Sequence, residues 1–290
     1  MAAPAEPTTH WSKKPLTLRI TSAAVLIPVV VAAVYAGHPA WDLLVMLFGG
    51  VMTWEWCRIS ARSKAGRSDA TLVVTAAAIV FVLAVLIAPE ENAPSWFHEL
   101  GAPGLIAFGA LCVTVLALVR FRWASLWFGV GVIYVSVPCL AIIQLRADPT
   151  VGLQQILWIV ALVTAVDTGA YIAGRSIGGP KLAPRISPNK TWAGLFGAVV
   201  SAAIVGAIAA LLMDLPSIAT LTAISAGMAI VAQIGDLAES AFKRHFGVKD
   251  ASNIIPGHGG ALDRVDGLIA VAAAVAGINF LIGSSVLTWL

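Results

Sequence analysis

Nine stretches of roughly 20 mainly apolar residues, joined by polar loops, dominate this chain and constrain what it can fold into. They fall at 18–36, 40–57, 70–88, 103–120, 124–145, 151–173, 192–213, 217–238 and 266–288. At about 1.5 Å of rise per residue, segments of this length cross a hydrocarbon core of about 30 Å as helices. The third and fourth are short and are expected to extend or tilt. Only 11% of the residues are charged, against about 25% in soluble domains. The expected fold class is therefore an all-α polytopic membrane protein.

The positions of the charges orient it. With the N-terminus in the cytoplasm and nine alternating spans, 17 of the 18 Lys and Arg residues fall on cytoplasmic segments, and only Arg146 lies outside. Outside loops carry Glu90, Glu91, Glu99, Asp148 and Asp214 instead. A missed or invented span would break this positive-inside pattern midway. The C-terminus is then expected outside.

Residues 1–17, rich in Pro, Ala and Thr, form an expected disordered cytoplasmic tail. Lys13, Lys14 and Arg19 precede an apolar run as in a signal peptide, but the run is long and more spans follow, so a retained first helix is expected. Helices one to five occupy 18–150. Residues 151–290 form the expected catalytic region, helices six to nine with cytoplasmic loops 174–191 and 239–265. Cys57, Cys112 and Cys139 are far apart in apolar segments and show neither metal nor disulfide spacing. No internal repeat of transporter type is visible.

Carboxylates near spans are costly and point to polar cavities. Asp167 lies close to the cytoplasmic end of the sixth span. Asp236 and Glu239, three apart at the end of the eighth, share a face. Asp263 and Asp266 open the ninth, where the helix dipole also favours them. Glu55, in MTWEWCR, reads as a snorkelling residue or a partner of Arg58.

Two cytoplasmic loops accompany these carboxylates. GRSIGGPKLAPRISPNKT, Gly174 to Thr191, combines glycines that admit close ligand approach with hydroxyls before a helix and with Lys181, Arg185 and Lys190. It is not a Walker A sequence. Topology alone explains its Lys and Arg residues but not its Gly-Gly-Pro and Ser-Pro-Asn-Lys-Thr chemistry. In the second loop, Gly257-His258-Gly259-Gly260 suggests an anion nest of backbone N–H groups. Lys243 and Arg244 stand where they could pair with an anionic headgroup; plain attraction to the lipid surface is the simpler account. Carboxylates able to hold Mg²⁺ beside two basic, glycine-bearing loops suit phosphoryl or nucleotidyl transfer. A lipid phosphate acceptor is already ionised, so alignment and charge neutralisation would supply most of the rate.

SAFKRHFGVKDASNIIPGHGGALDRVD, Ser240 to Asp266, closely resembles the signature of phosphatidate cytidylyltransferases, the CDP-diacylglycerol synthases. Ala261 departs from it, where a larger apolar residue is expected. AVDTGAYIAGRSIGGPKLAPRISPNKTWAG, Ala165 to Gly194, and GDLAES, Gly235 to Ser240, are similar to further regions of that family. The strong match runs from about Trp158 to Asp266; the N-terminal half resembles the family only as apolar spans.

The resemblance implies that CTP and phosphatidic acid give CDP-diacylglycerol and pyrophosphate in phospholipid synthesis. It implies Mg²⁺, with a monovalent cation such as K⁺ sharing the site. Carried onto this chain, the metal candidates are Asp236, Asp263 and Asp266. The catalytic set adds Lys243, Arg244 and His258 near the lipid phosphate or the leaving pyrophosphate. Asp167, Arg175, Lys181, Ser187, Asn189, Lys190, Thr191, Lys249, Gly259, Gly260 and Arg264 are the substrate-binding candidates. A homodimer in the cell membrane, facing the cytoplasm and without nucleic-acid partners, is also implied. Two alternatives stand beside it. Another membrane phosphotransferase would show other Asp spacings, absent here. An ion-coupled transporter would predict inverted repeats and polar residues at the midplane, whereas the polar residues here gather at one face.

Overall fold

The computed structural model describes residues 16–60 and 125–289. Its helices are α1 (Leu16–Ala36), α2 (Ala40–Ser60), α3 (Ser125–Ala147), α4 (Gly152–Ser176), α5 (Trp192–Leu212), α6 (Ile218–His245), α7 (Leu262–Ile282) and the short α8 (Val286–Trp289). The expected spans at 70–88 and 103–120, most of the N-terminal tail and Cys112 lie outside the described residues. Five of the helices, α3 to α7, are long and apolar enough to cross a membrane. The protein is thus an integral membrane protein of mainly helical fold. Apolar side chains such as Leu212, Phe280 and Leu281 are exposed, as a lipid-facing surface requires.

The helices that bear the candidate residues pack at backbone distance. A Cβ on Gly169 of α4 would stand 2.6 Å from the Gly197 carbonyl oxygen of α5. One on Gly206 of α5 would stand 2.7 Å from the Leu221 carbonyl oxygen of α6, and one on Gly235 of α6 would stand 2.9 Å from the Asp266 carbonyl oxygen of α7. Small residues permit this approach where no hydrophobic effect drives helices together within lipid. The Gly235 contact bears directly on the site, because it places Asp236 and Asp266 at one helix crossing.

Several boundaries differ from the sequence reading. α6 runs two turns past 238, to His245. Lys243 does not end the helix, because its charge is neutralised by Glu239 four residues earlier and by Asp263 of α7. α7 starts at Leu262 rather than 266 and stops at Ile282, where Gly283 adopts φ 70°. The loop at 174–191 is not irregular throughout. β1 (Lys181–Ala183) and β2 (Ser187–Thr191) form an antiparallel hairpin with Lys181 opposite Thr191. The hairpin stands as an isolated pair, where Pro188 is tolerated.

Helices α2 and α3 brace this bundle through large side chains. The Trp56 ring of α2 stacks on Phe242 of α6 at 3.6 Å between centroids and on Tyr134 of α3 at 4.8 Å. Its Nε1 donates to the Trp127 carbonyl at 2.6 Å. At the opposite end, Arg146 donates from Nε to the Val34 carbonyl in the last turn of α1 at 2.7 Å. That contact gives Arg146 a structural use, a cation at a helix C-terminus.

Candidate active site

Asp167 of α4, Asp236 of α6 and Asp266 of α7 face one another closely enough that their charges repel. Gathering three carboxylates at the end of an apolar bundle is unfavourable unless cations compensate. The chain supplies Lys190, Arg264 and Lys243, the last acting on Asp266. Lys190 of β2 meets Asp236 Oδ2 at 2.6 Å and donates to Gln233 Oε1 at 2.9 Å. Arg264 also acts on Asp167. Asp236 Oδ1 accepts from Ser240 Oγ at 3.4 Å, and Asp266 Oδ1 accepts from the Gly267 N–H at 2.7 Å. The hairpin thus carries Lys190 into the carboxylate cluster, which sequence distance alone does not reveal.

A second polar cluster lies beside it. Lys243, nearly buried, meets Glu239 Oε2 at 2.5 Å and Asp263 Oδ1 at 2.6 Å. Asp263 also accepts the Ala251 N–H and the Gly260 N–H, both on Oδ2 at 3.0 Å. Both oxygens of Asp263 are therefore engaged within the protein. Lys243 ties α6 to α7 and points inward, whereas Arg244 is exposed and donates to the Val248 carbonyl at 2.9 Å.

The Gly257–Gly260 turn is not the free anion nest its sequence suggests. The His258 and Gly259 N–H groups donate to the Ile255 carbonyl at 3.0 and 3.1 Å, and the Gly260 N–H serves Asp263. Gly257 and Gly259 have φ of 79° and 98°, so glycine is required to close the turn. His258 Nδ1 shares a 2.8 Å hydrogen bond with Ser22 Oγ of α1, and its carbonyl accepts from the Arg264 guanidinium. Thr191 is buried and accepts the Gly194 N–H at 3.1 Å, so its hydroxyl caps α5. Arg175 stacks near Tyr171 and is exposed, as are Lys181, Asn189 and Lys249 around the two loops; Ser187 is half-buried in β2.

Glu55 was the residue the sequence misplaced. It does not snorkel or pair with Arg58. It is fully buried, and its carboxylate accepts from Ser252 Oγ, from the Ala261 N–H at 3.0 Å and from the Leu262 N–H at 2.7 Å. The only local hint was a carboxylate in an otherwise apolar span, and its partners lie some 200 positions further along.

Among the described residues, no three His, Cys, Asp or Glu side chains are placed to cage a metal ion by themselves. Asp236 and Asp266 nevertheless suit Mg²⁺, a hard cation that takes one or two carboxylates and completes its shell with water and substrate phosphate. Their mutual repulsion is what a cation between them would relieve. Asp263 fits that role poorly, because Lys243 and two backbone amides already use its oxygens.

The family model described as the cytidylyltransferase family matches residues 17–281. The chain belongs to the cytidylyltransferase family. Its members here include a phosphatidate cytidylyltransferase of Brucella suis, 36% identical over 262 residues that cover 89% of this chain and 91% of that protein. A protein of the same name from Staphylococcus epidermidis is 40% identical over 191 residues, 64% of this chain and 72% of its own length. Its counterpart in Staphylococcus saprophyticus is 39% identical over 198 residues, covering 67% and 75%. The match to the family model extends well beyond the two loops and takes in α1 to α3. As a cytidylyltransferase the protein is a nucleotidyltransferase, and the carboxylate cluster with its basic hairpin is where such chemistry can be housed.

Proposed function

We propose that this protein transfers the cytidylyl group of CTP to phosphatidate at the cytoplasmic face of the cell membrane, as a phosphatidate cytidylyltransferase. A phosphate oxygen of the lipid attacks the α-phosphorus of CTP. The bond from that phosphorus to the bridging oxygen breaks, pyrophosphate leaves and CDP-diacylglycerol remains. The observation that carries this reading is the gathering of Asp167, Asp236 and Asp266 from three helices, with Lys190 of the hairpin paired to Asp236, in a chain of the cytidylyltransferase family.

Asp236 and Asp266 would hold Mg²⁺, which would neutralise phosphate charge, and the resemblance implies K⁺ as a second cation. Lys190, paired with Asp236, exchanges that carboxylate partner for a phosphate oxygen of CTP. Arg264 and the exposed Arg175, Lys181 and Lys249 draw the polyphosphate toward the two loops by long-range attraction. Asp263, held by Lys243 and the loop amides, fixes the start of α7 rather than contacting substrate. Nine spans with a cytoplasmic N-terminus and an outer C-terminus put both loops where CTP is available, and the positive-inside distribution supports that orientation. The resemblance also supports a homodimer.

The test uses purified protein in lipid nanodiscs. Pyrophosphate release from CTP is expected only when phosphatidate and Mg²⁺ are both present. Release without phosphatidate, or none at all with solute flux in liposomes, contradicts the reading.

A further inference from the structure

We infer that Glu55 is a positioning residue for the reaction: from α2, it caps the catalytic helix α7 and sets where Asp263 and Asp266 stand. The inference rests on the cytidylyltransferase reading above.

Helix α7 begins without a cap of its own. Ala261 occupies the N-cap position with a helical backbone, φ −65° and ψ −42°, and has no side chain that could bond the first turn. The first N–H groups of a helix have no partner within it. Here the Ala261 and Leu262 N–H groups donate to Oε1 and Oε2 of Glu55, so one carboxylate from a distant helix takes the place of the missing cap. Ser252, within the signature loop, donates to the same Oε1. The middle of the loop and its junction with α7 are therefore fastened to one side chain.

The loop is shaped around that carboxylate. A Cβ on Gly260 would stand 2.6 Å from Glu55 Oε1, 2.9 Å from Ala251 Cβ and 3.0 Å from Asp263 Oδ2. Only glycine leaves room for Glu55 to reach the amides. The small Ala261, which departs from the expected larger side chain, is also buried here.

The same short segment of α2 holds the other catalytic helix. Trp56, adjacent to Glu55, stacks on Phe242 of α6, the neighbour of Lys243. Glu55 and Trp56 thus fix the start of α7 and the end of α6 relative to each other. Asp263 follows Leu262 directly, and Asp266 lies one turn further on. Freeing the helix start shifts both carboxylates, and displacements of about 1 Å in such a site cost on the order of 100-fold in rate.

Glu55→Gln tests this with the full-length protein in nanodiscs. Its amide keeps the shape but turns an N–H₂ toward one of the helix donors. The expected result is turnover reduced about 10- to 100-fold, a higher Mg²⁺ concentration for half-maximal rate, and faster amide exchange confined to residues 251–266. The exchange is measured without Mg²⁺ or substrates. Glu55→Asp, which keeps the carboxylate, should recover part of the rate. Ser252→Ala removes one donor, leaves the two helix amides bonded, and gives a smaller change of the same kind should Glu55→Gln not fold. Wild-type turnover and wild-type exchange in Glu55→Gln overturn the inference. So does a loss of rate with an unchanged Mg²⁺ requirement and exchange raised equally over α5 and α6, which marks a general scaffold role. Failure of the wild-type protein to form CDP-diacylglycerol overturns the functional reading instead, and the exchange result stands apart from it.

Discussion

Helices α4 to α7 and helices α1 to α3 are held together by opposite means. The former meet backbone to backbone at Gly169, Gly197, Gly206 and Gly235, with little side chain between them. Of the latter, α2 and α3 contact the bundle through Trp56 and Trp127, whose rings meet Phe242 of α6. Like-charged carboxylates from three helices can converge only where the helix axes come close, and glycine provides that closeness. A brace has a different task, for which broad aromatic surfaces serve better. In the proposed site the C-terminal bundle supplies the carboxylates, and the N-terminal helices brace it.

That contrast can be broken in the bundle first. Asp236→Asn and Asp266→Asn should each lower the rate of CDP-diacylglycerol formation at least ~10²- to 10³-fold, with unchanged thermal melting in detergent. Gly235→Val inserts side chain where a Cβ would already stand 2.5 Å from that of Ala270. It should separate α6 from α7, lower turnover on the order of 100-fold and lower the melting temperature. An active, stable Gly235→Val protein contradicts the close-packing account.

The brace should respond differently. Glu55→Gln is the exception already drawn, a brace residue that reaches the site. Trp56→Ala should act mainly on stability, by about 3–5 kcal/mol as for other large buried aromatics, with a smaller fall in turnover; chemical denaturation followed by activity separates the two. Arg146→Ala, at the opposite end of the helices, should cost only about 1–2 kcal/mol from its lost bond to the Val34 carbonyl and leave turnover as in the wild type. A marked loss of activity from Arg146→Ala would show that the two ends of the molecule are coupled.

The sequence carried much of this division because lipid imposes length and charge rules that a chain shows directly. The helix pairs flanking both loops and the carboxylates Asp167, Asp236 and Asp266 were legible for that reason. What stayed hidden depended on contacts between distant segments. Lys243 looks like a surface cation until Asp263 is seen beside it. The glycines at 257–260 read as a ligand nest until the Gly259 and Gly260 N–H groups are followed to Ile255 and Asp263. Lys190 and Asp236 become partners only through the hairpin. Glu55 is buried because its hydrogen-bond donors come from the start of another helix, which no local pattern around MTWEWCR encodes.

The central claim is that α6 and α7 contribute one carboxylate each to a single cation and phosphate site. Electron paramagnetic resonance of Mn²⁺, substituted for Mg²⁺ and titrated into the nanodisc protein with CTP, tests it most directly. Wild-type protein is predicted to give a bound-Mn²⁺ signal, and Asp236→Asn and Asp266→Asn are each predicted to lose it. Mn²⁺ bound as in the wild type by both variants would contradict the account.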